Sequence, residues 1–365
     1  MKRIIVAAIV ALAPAWGLSQ ILIGQTAGFS GTVASGVKET TDGAKLWIDS
    51  INAKGGVNGQ KIELLSMDDK FDPKIAAANA KVLVEEKNVL ALFLNRGTPH
   101  AESIIPLLDQ HGVPLIAPST GAMSLHQPVR KHVFNVRATY QREAEKAVTH
   151  LHTLGIKRIA VVHADDSFGA DGLEGARNGF QKAGFEPVVT IKAHRLEPDY
   201  ATVIPAITGK DSQAVVWIGS GTTVANGVKA LRAAKSAAQV VTLSNNASGG
   251  FIKNLGDQAR GVIVTQVFPH ERSYAYGFIK EAMVLAKAKN TELTPAMLEG
   301  YAAAKVLVEG LRRAGPNPTR AKLQAALEGL KFDIGGLEVG YGPDDRTGLD
   351  FADLSIIGQD GKFKR

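Results

Sequence analysis

The chain has 365 residues, a length that favours two domains over one. Apolar residues make up 45% of it and charged residues 21%, which is typical of a soluble globular protein. The formal net charge of +7 arises from lysines and arginines that are scattered along the chain. Because there is no basic tract and no interleaving of aromatic with basic residues, this pattern argues against a nucleic-acid partner.

The first 19 residues differ in composition from the rest. Two basic residues precede the apolar run 4–13, and small residues follow at Gly17 and Ser19. This pattern predicts a cleaved secretory signal peptide over residues 1–19, and the alternative is an uncleaved anchor. The apolar run is short for a membrane span. The sequence contains no cysteine, which excludes disulfides and a lipid-modified cysteine at the cleavage site. We therefore predict export to the periplasm.

Predicted strands alternate with predicted helices in the first part of the chain. The strands are expected at 21–24, 62–67, 89–94 and 113–116. Between the second and third, Asp72 followed by Pro73 is typical of a helix start. Strands that alternate with helices of this length predict βαβ units around a parallel sheet.

The same pattern returns in the second part of the chain. Further strands are expected at 158–163, 188–191, 214–218, 240–243 and 262–267. The stretch 274–330 is predicted to be mostly helical, and the tail from Gly335 is turn-rich with short strands. No low-complexity linker separates the halves, so we predict two α/β lobes with a cleft between them. Ligands of such sheets bind beyond the carboxyl ends of the strands.

Two loops at predicted strand ends are candidates for anion binding. The first turns directly into a helix, with Thr98 suited to the N-cap and Pro99 to the first helical position. Such a loop presents free backbone N–H groups and the positive end of a helix dipole. The second loop contains Ser119, Thr120 and Gly121, whose hydroxyls and backbone complete a polar clamp. We predict a carboxylate site here, and the alternative is a pair of ordinary turns.

Two aromatic residues, Phe29 and Phe168, lie in the first loop of each predicted lobe. An aromatic side chain is costly to expose, so each either packs beneath its loop or closes over a ligand. The sequence alone leaves both interpretations open.

The motifs of common catalytic and cofactor sites do not occur. The sequence contains no G-x-G-x-x-G, no G-x-x-x-x-G-K-[ST], no H-E-x-x-H and no G-x-S-x-G. Asp68, Asp69 and Asp72 lie close together in sequence, but we interpret them as turn residues and a helix N-cap and not as a cation site. We therefore predict neither an enzyme nor a metal or cofactor site.

Several motifs together resemble those of one family. The stretch 55–64 reads GGVNGQKIEL and is followed by Asp68-Asp69 and by Asp72-Pro73. Further matching stretches, in the family's order, are 112–118, 158–162 and 166–169. Together they resemble the Leu/Ile/Val-binding protein family, the periplasmic solute-binding proteins of ABC importers. The resemblance covers essentially the whole chain after the predicted signal peptide.

The resemblance implies a type I periplasmic binding fold. In such a fold two Rossmann-like lobes are joined by three crossover strands, and a ligand is trapped as the lobes close. The implied N-terminal lobe comprises 20–137 and 268–337, and the C-terminal lobe 138–267 and 338–365. The crossovers are expected near 136–139, 267–269 and 337–340. The implied partners are a small-molecule ligand and an inner-membrane ABC permease, and the protein is expected to be a monomer without a cofactor.

The resemblance also assigns roles to individual residues. Thr98 and the Ser119-Thr120-Gly121 loop would hold the carboxylate of the ligand. The residues implied to line the apolar end or close over it are Phe29, Phe168, Ser220, Gly221 and Phe268. Amino-acid binders of the family place an acid in the stretch that matches 243–247, where this chain has no acid and carries Asn245 instead.

The missing acid affects the expected ligand class. A buried ammonium without a counter-charge is costly, which favours an aromatic or other organic acid as ligand. An amino acid stays an alternative if Asp165 or Asp166 supplies the charge. Two further functions stay open, namely a ligand sensor or receptor domain of the same fold and an α/β enzyme.

Overall fold

The computed structural model describes residues 20–365, and the predicted signal peptide lies outside these described residues. In the first lobe the chain forms a five-stranded parallel sheet. Its strands are β1 (Ile21–Ala27), β2 (Ile62–Asp68), β3 (Ala91–Phe93), β4 (Leu115–Ile116) and β5 (Val133–Phe134). The connecting helices are α1 (Ala34–Ala53), α2 (Pro73–Lys81), which continues into a π-helical turn (Val82–Glu86), and α3 (Thr98–His111). The strand order is β2–β1–β3–β4–β5.

The chain then enters a second lobe with the same alternation. Its strands are β6 (Ile159–Ala164), β7 (Val189–Ala193), β8 (Ala214–Ile218), β9 (Gln239–Thr242) and β10 (Ile263–Gln266). Its helices are α4 (Tyr140–Thr153), α5 (Ser167–Ala183), α6 (Tyr200–Thr208), α7 (Gly221–Ala233) and α8 (Gly249–Leu255). These five strands pair in parallel, as the alternation of strands and helices predicts.

After β10 the chain returns to the first lobe and later leaves it again. The returning elements are α9 (Gly277–Ala288), α10 (Pro295–Ala314), α11 (Arg320–Glu328) and the hairpin of β11 (Lys331–Asp333) with β12 (Glu338–Gly340). The final strands, β13 (Asp353–Ile357) and β14 (Phe363–Lys364), extend the second sheet by antiparallel pairing. The second sheet then has the order β14–β13–β10–β9–β8–β6–β7.

The hydrophobic cores show where the chain crosses between lobes. Val136 and Ala138 are buried in the core of the first lobe, whereas Tyr140 belongs to a core of the second. Val267 and Phe268, directly after β10, are again in the first core. We therefore propose that the first two crossings lie within 136–139 and 267–269, the ranges expected from the sequence.

The core of the first lobe also contains residues near and beyond the expected third crossing. Tyr341 and Leu349 are buried in the first core beyond the expected crossing at 337–340, and Val339 is buried there within that range. Tyr341 anchors this segment because its hydroxyl donates to the backbone oxygen of Asn135 at 2.7 Å and its ring packs edge-on against Phe134. We therefore propose that residues 338–349 belong to the first lobe and that the chain crosses just before β13.

No helix within residues 20–365 combines the length and the apolar character that a membrane crossing requires.

Candidate ligand-binding site

A cavity lies between the two lobes, beyond the carboxyl ends of strands from both sheets. Its lining residues are Phe71, Arg96, Gly97, Thr98, Pro99, Tyr140, Asp166, Phe168, Ser220 and Asn245. They surround about 280 Å³, most of it too narrow for a water molecule. The two lobes are thus in a closed arrangement.

A larger cavity lies elsewhere, at an outer edge of the first lobe. By the same measure it encloses about 1330 Å³, and its lining includes Gln20, Asn88 and Arg320. All of its lining residues come from one lobe, and β1 contributes its amino end. Because ligands of parallel sheets bind beyond the carboxyl ends of strands, the smaller interlobe cavity is the better candidate site.

The guanidinium of Arg96 is the central charged group of the interlobe cavity. It follows β3 and is only 5% exposed. Its Nη1 donates to the hydroxyl of Ser119 at 3.1 Å, and its Nη2 donates across the cleft to the backbone oxygen of Asn245 at 2.6 Å. Neither of these hydrogen bonds goes to a carboxylate. Since a guanidinium has five N–H donors, Arg96 retains donors for a further acceptor.

A carboxylate, that of Glu299, is linked to the Arg96 guanidinium through the hydroxyl of Ser119. The hydroxyl of Ser119, which accepts from Arg96, donates to Oε1 of Glu299 at 2.7 Å. Glu299 lies on α10 and also approaches Arg137, with 3.7 Å between Oε2 and Nη1. Ser119 thus connects Arg96 to a buried ionic network and holds its guanidinium in position.

The two threonines expected to bind a carboxylate are in contact. The Oγ1 atoms of Thr98 and Thr120 are 2.7 Å apart, and both side chains are buried. The prediction that Thr98 is an N-cap is wrong, because α3 begins at Thr98 and Gly97 is its N-cap. Gly97 has φ of +102°, a conformation that other residues rarely adopt. The helix therefore starts one residue early, and the Thr98 hydroxyl reaches Thr120 instead of capping the helix.

The second lobe supplies an aromatic wall and a polar wall. The rings of Phe168 and Tyr140 pack edge-to-face, with centroids 4.8 Å apart. The amide nitrogen of Asn245 donates to the backbone oxygen of Gly219 at 2.9 Å and to the hydroxyl of Ser220 at 3.2 Å. These bonds orient the Asn245 side chain at the edge of the cavity.

An acidic residue, Asp166, also lines the cavity. Its side chain caps α5 by accepting from the backbone N–H of Gly169 at 2.9 Å, and it lies 3.4 Å from Nε of Arg195. Burial raises the pKa of Asp166, while the Gly169 hydrogen bond and the charge of Arg195 act in the opposite direction. The cavity thus combines a cationic group, Arg96, with an acidic one.

Four expected site residues of the first lobe lie outside the cavity lining, namely Phe29, Ser119, Thr120 and Gly121. Phe29 is partly buried and packs with Val33 and Phe71, beneath its own loop. Gly121 packs against the first crossing, where an added Cβ would lie 2.6 Å from the backbone oxygen of Ala138. Phe29 and Gly121 shape their own loops, whereas Ser119 and Thr120 contact the lining residues Arg96 and Thr98.

Two other expected residues are also placed outside the lining. Gly221 sits at the contact between the lobes, where an added Cβ would lie 1.9 Å from the backbone oxygen of Thr32. Phe268 is 3% exposed and packs in the first core near Phe278, with ring centroids 6.3 Å apart. The chain has already re-entered the first lobe at Phe268, so this ring is a core residue.

Arg96, Phe71 and Tyr140 are among the lining residues that sequence reasoning did not single out as site residues. A signal for Arg96 was present, because a charged residue directly after a buried strand at a sheet's carboxyl end is costly unless it has a function. Phe71 and Tyr140 carried no comparable signal, since their position depends on how distant segments pack.

Asp69 and Asp72, which follow β2, stabilise their own loop. Asp69 accepts from the backbone N–H of Phe71 at 2.9 Å, and Asp72 caps α2 by accepting from Lys74 at 2.7 Å. The prediction of a helix start at Asp72-Pro73 is confirmed. Across residues 20–365 there is no cluster of three or more histidine, aspartate or glutamate side chains arranged to hold a metal ion.

Comparisons with known proteins define the family. The sequence profile of the family described as periplasmic binding protein matches residues 20–350. The chain therefore belongs to the periplasmic binding protein family, and its fold is the type I periplasmic binding fold, as the resemblance predicted. Members of this family are solute-binding proteins and not enzymes, which confirms the expectation that this chain is not an enzyme.

Individual relatives agree with this assignment. The Leu/Ile/Val-binding protein homolog 3 of Brucella melitensis is 25% identical over 318 residues, which cover 85% of this chain and 83% of that protein. The crystal structure of a substrate-binding periplasmic protein from Ralstonia solanacearum is 29% identical with a TM-score of 0.86, and the match covers 94% of this chain and 99% of that one.

Two further structures share the fold alone. A solute-binding protein of an ABC transporter from R. palustris, in complex with benzoate, is 18% identical with a TM-score of 0.85. A branched-chain amino acid ABC transporter protein from Thermus thermophilus, with bound valine, is 16% identical with a TM-score of 0.84. In each case the match covers 95% of both chains.

Proposed function

We propose that this chain is the periplasmic substrate-binding component of an ABC importer and that it captures a small carboxylate between its lobes. Hinge closure buries the ligand and presents the closed surface to an inner-membrane permease. The family and the predicted signal peptide support the location, and the interlobe cavity supports the mechanism.

The buried Arg96 is the observation that supports a carboxylate as the ligand. A guanidinium is held in the cleft by a hydroxyl and a backbone carbonyl, and neither is an anion. Guanidinium groups bind carboxylates with paired, charge-assisted hydrogen bonds that are stronger than neutral ones. The adjoining Thr98 and Thr120 hydroxyls and the start of α3 add donors on the same side. A carboxylate is therefore the complementary ligand.

The ligand belongs to one of two classes. Asn245 occupies the stretch where amino-acid binders carry an acid, which favours an organic acid without an amine. Asp166 lines the same cavity and is a candidate partner for an ammonium, although Arg195 already approaches it. The fold accommodates either class, since the two distant structures hold benzoate and valine respectively.

Thermal-shift measurements on the chain from Gln20 onward test this proposal with compounds matched in skeleton. One pair is leucine with 4-methylpentanoate, and another is phenylalanine with 3-phenylpropanoate; benzoate is added as a shorter acid. A compound that binds only the folded state raises the melting temperature by mass action. The matched amide, 4-methylpentanamide, has no carboxylate and should give no shift. If only the amino acids, leucine and phenylalanine, raised the melting temperature, the preference for an organic acid would be contradicted.

A variant in the cavity distinguishes ligand binding at this site from binding elsewhere on the surface. Arg96→Gln removes the cation and should abolish most of the shift, because hydrogen bonds to charged groups contribute roughly 1.5–3 kcal/mol. Arg177→Gln is the control, since Arg177 is exposed and pairs only with Glu174 on the same helix. An equal loss in both variants would mean that the carboxylate binds outside the cavity. If amino acids bind, Asp166→Asn should weaken them much more than it weakens the matched acids.

A further inference from the structure

An aromatic stack crosses the mouth of the interlobe cavity. The ring of Phe71, in the first lobe, lies nearly parallel to the ring of His100, with centroids 4.7 Å apart and 18° between the planes. The guanidinium of Arg195, from the second lobe, lies 4.1 Å from the centroid of the same Phe71 ring. At these distances the two groups cannot share one face of the ring. Phe71 is therefore held between a side chain of its own lobe and one of the opposite lobe.

The loop that carries Phe71 is built for this position. Lys70 and Phe71 both adopt left-handed backbone conformations, with φ of +53° and +59°. For residues other than glycine this conformation is strained. Asp69, which is fully buried, stabilises the loop by accepting from the Phe71 N–H at 2.9 Å and from the Thr26 hydroxyl at 3.2 Å. The strained backbone thus presents the Phe71 ring to the second lobe.

Arg195 contacts Phe71 in the first lobe and is anchored within its own lobe by Asp165 and Asp166. Its Nη2 donates to the backbone oxygen of Phe71 at 3.0 Å, and its Nε lies 3.4 Å from Oδ2 of Asp166. Its backbone N–H donates to Asp165 at 2.9 Å, which fixes the loop that it comes from. Phe71 and Asp166 are both lining residues, one from each lobe. One side chain therefore joins the two opposite walls of the cavity.

The remaining layer of the stack is electrically neutral. Burial lowers the pKa of His100 to about 3, and the nearby charge of Arg195 acts in the same direction. An uncharged imidazole does not repel the guanidinium on the other face of Phe71. Among the other interlobe contacts, Glu102 accepts one hydrogen bond from Ser167 at 2.7 Å. The Arg195 contact differs in kind, because it combines stacking on Phe71 with a hydrogen bond to the Phe71 carbonyl.

We propose that Arg195 and Phe71 form an interlobe clamp that holds the lobes closed and so governs how fast a ligand is released. The contact joins groups from opposite lobes and exists only when the lobes are closed. Its consequence for ligand release rests on the proposed function, whereas its effect on closure does not. A planar guanidinium is required, because it stacks on the ring while it donates to the Phe71 carbonyl.

Closure can be measured without any ligand. The chain has no cysteine, so a pair introduced at exposed positions, Ala78→Cys on α2 and Ala201→Cys on α6, can carry spin labels on opposite lobes. Double electron–electron resonance then gives the distribution of interlobe distances. Arg195→Met should lower the ratio of closed to open molecules by about ten-fold, in line with the strength of a desolvated cation–π contact and its hydrogen bond. The control Arg177→Met, an exposed arginine of the same lobe, should leave the distribution unchanged.

Two more variants distinguish a clamp from a loss of local structure. Arg195→Lys keeps the charge but loses the planar stack, so it should give an intermediate distribution. Phe71→Leu should lower the closed fraction, and the double variant with Arg195→Met should lower it no further, because both remove the same contact. Identical distance distributions in the wild type and Arg195→Met overturn the proposal, whether the distances are short or long. This result is independent of whether any carboxylate binds.

Discussion

Buried polar side chains define the candidate site at the scale of single residues. Thr98 and Thr120 come from loops after neighbouring strands, β3 and β4, and their hydroxyls meet at 2.7 Å. Arg96 shares its loop with Thr98 and is held by Ser119, which shares a loop with Thr120. The loop after β3 supplies Arg96 and Thr98, and the loop after β4 supplies their partners Ser119 and Thr120. The site therefore requires both loops to keep their conformations.

The hydroxyl of Thr98 can be tested directly. Thr98→Val keeps the shape of the side chain but removes its hydroxyl and leaves Thr120 without its partner. We expect the affinity for the acid that gives the largest thermal shift to fall by roughly 1–3 kcal/mol, as measured by isothermal titration calorimetry. Thr98→Ser retains the hydroxyl and should bind nearly as well as the wild type. An unchanged affinity in Thr98→Val would remove Thr98 from the site.

Asp69 makes stability depend on pH. Burial raises its pKa from 3.8 to about 6, although hydrogen bonds from Phe71 and Thr26 act to lower it. The folded state therefore binds the proton more tightly than the unfolded state does. The stabilisation from the protonated form is present below about pH 4 and is lost as the pH rises towards 6.

Asp69→Asn should remove this contribution, because asparagine keeps an acceptor for the Phe71 N–H but does not ionise. The free energy of unfolding of the variant, relative to the wild type, should rise by about 1–3 kcal/mol between pH 4 and pH 6. Urea denaturation at several pH values within this range measures the difference. Parallel curves for the two proteins would show that Asp69 ionises equally well in the folded and unfolded states.

At the scale of elements, close helix packing holds the returning segment on the first lobe. Helices α1 and α10 approach so closely that a Cβ at Gly43 would lie 2.0 Å from the backbone oxygen of Met297. A Cβ at Gly300 would lie 1.7 Å from the backbone oxygen of Thr40. Glycine is required at both positions because the obstacle is backbone, which cannot move away as a side chain can.

Gly43→Ala should therefore destabilise the protein even though alanine is the better helix former. We expect a loss of roughly 1–3 kcal/mol in the free energy of unfolding from forced separation of the two helices, measured by urea denaturation. Gly329→Ala is the matched control, because no atom lies within 4 Å of its added Cβ, and it should change stability by less than about 0.5 kcal/mol. Equal stability of the two variants would argue against tight packing of α1 on α10.

Local signals account for the elements that were predicted well. The start of α2 at Asp72-Pro73 follows from a side-chain cap and a proline within two residues, and β8 (Ala214–Ile218) has the predicted bounds. The start of α3 was misplaced because the left-handed Gly97 and the Thr98–Thr120 contact override the local preference. The short β5 was missed, since two residues give no periodic pattern and their strand exists only through pairing with β4.

At the scale of the whole molecule, a buried ionic network spans the first crossing. Arg137 lies between the lobes and is fully buried. It binds Glu143 and Ser244 of the second lobe, and Glu299 of the first lobe lies 3.7 Å away. Burial lowers the pKa of Arg137, and the carboxylate of Glu143 more than offsets this and raises it above its ordinary value. The guanidinium is thus an anchor for both lobes at the hinge.

Arg137→Met should destabilise the protein strongly, because it leaves two buried carboxylates without their common partner. We expect a loss of about 3–5 kcal/mol in the free energy of unfolding, measured by urea denaturation. Adding Glu143→Gln removes one of the stranded charges and should recover part of the loss. The outcome that would contradict this role is a stability within about 1 kcal/mol of the wild type.

The sequence by itself determined the fold class and which loops of the first lobe carry the site. Alternating apolar strands and amphipathic helices are local patterns, and βαβ units follow from them because a parallel pair needs a helical crossover. The motif resemblance extended this to two lobes with a cleft. It also led to Thr98 and Thr120, since hydroxyls at neighbouring strand ends lie at the same edge of a sheet.

The tertiary structure alone decided which side chains face the cavity and where the chain changes lobes. Arg96 became the central cation because Ser119 and the Asn245 carbonyl hold it from opposite lobes. Phe268 became a core residue, and Tyr341 and Leu349 are buried in the same core although they lie far along the chain from β1–β5. These outcomes depend on contacts between residues far apart in the chain, and no local pattern encodes such contacts.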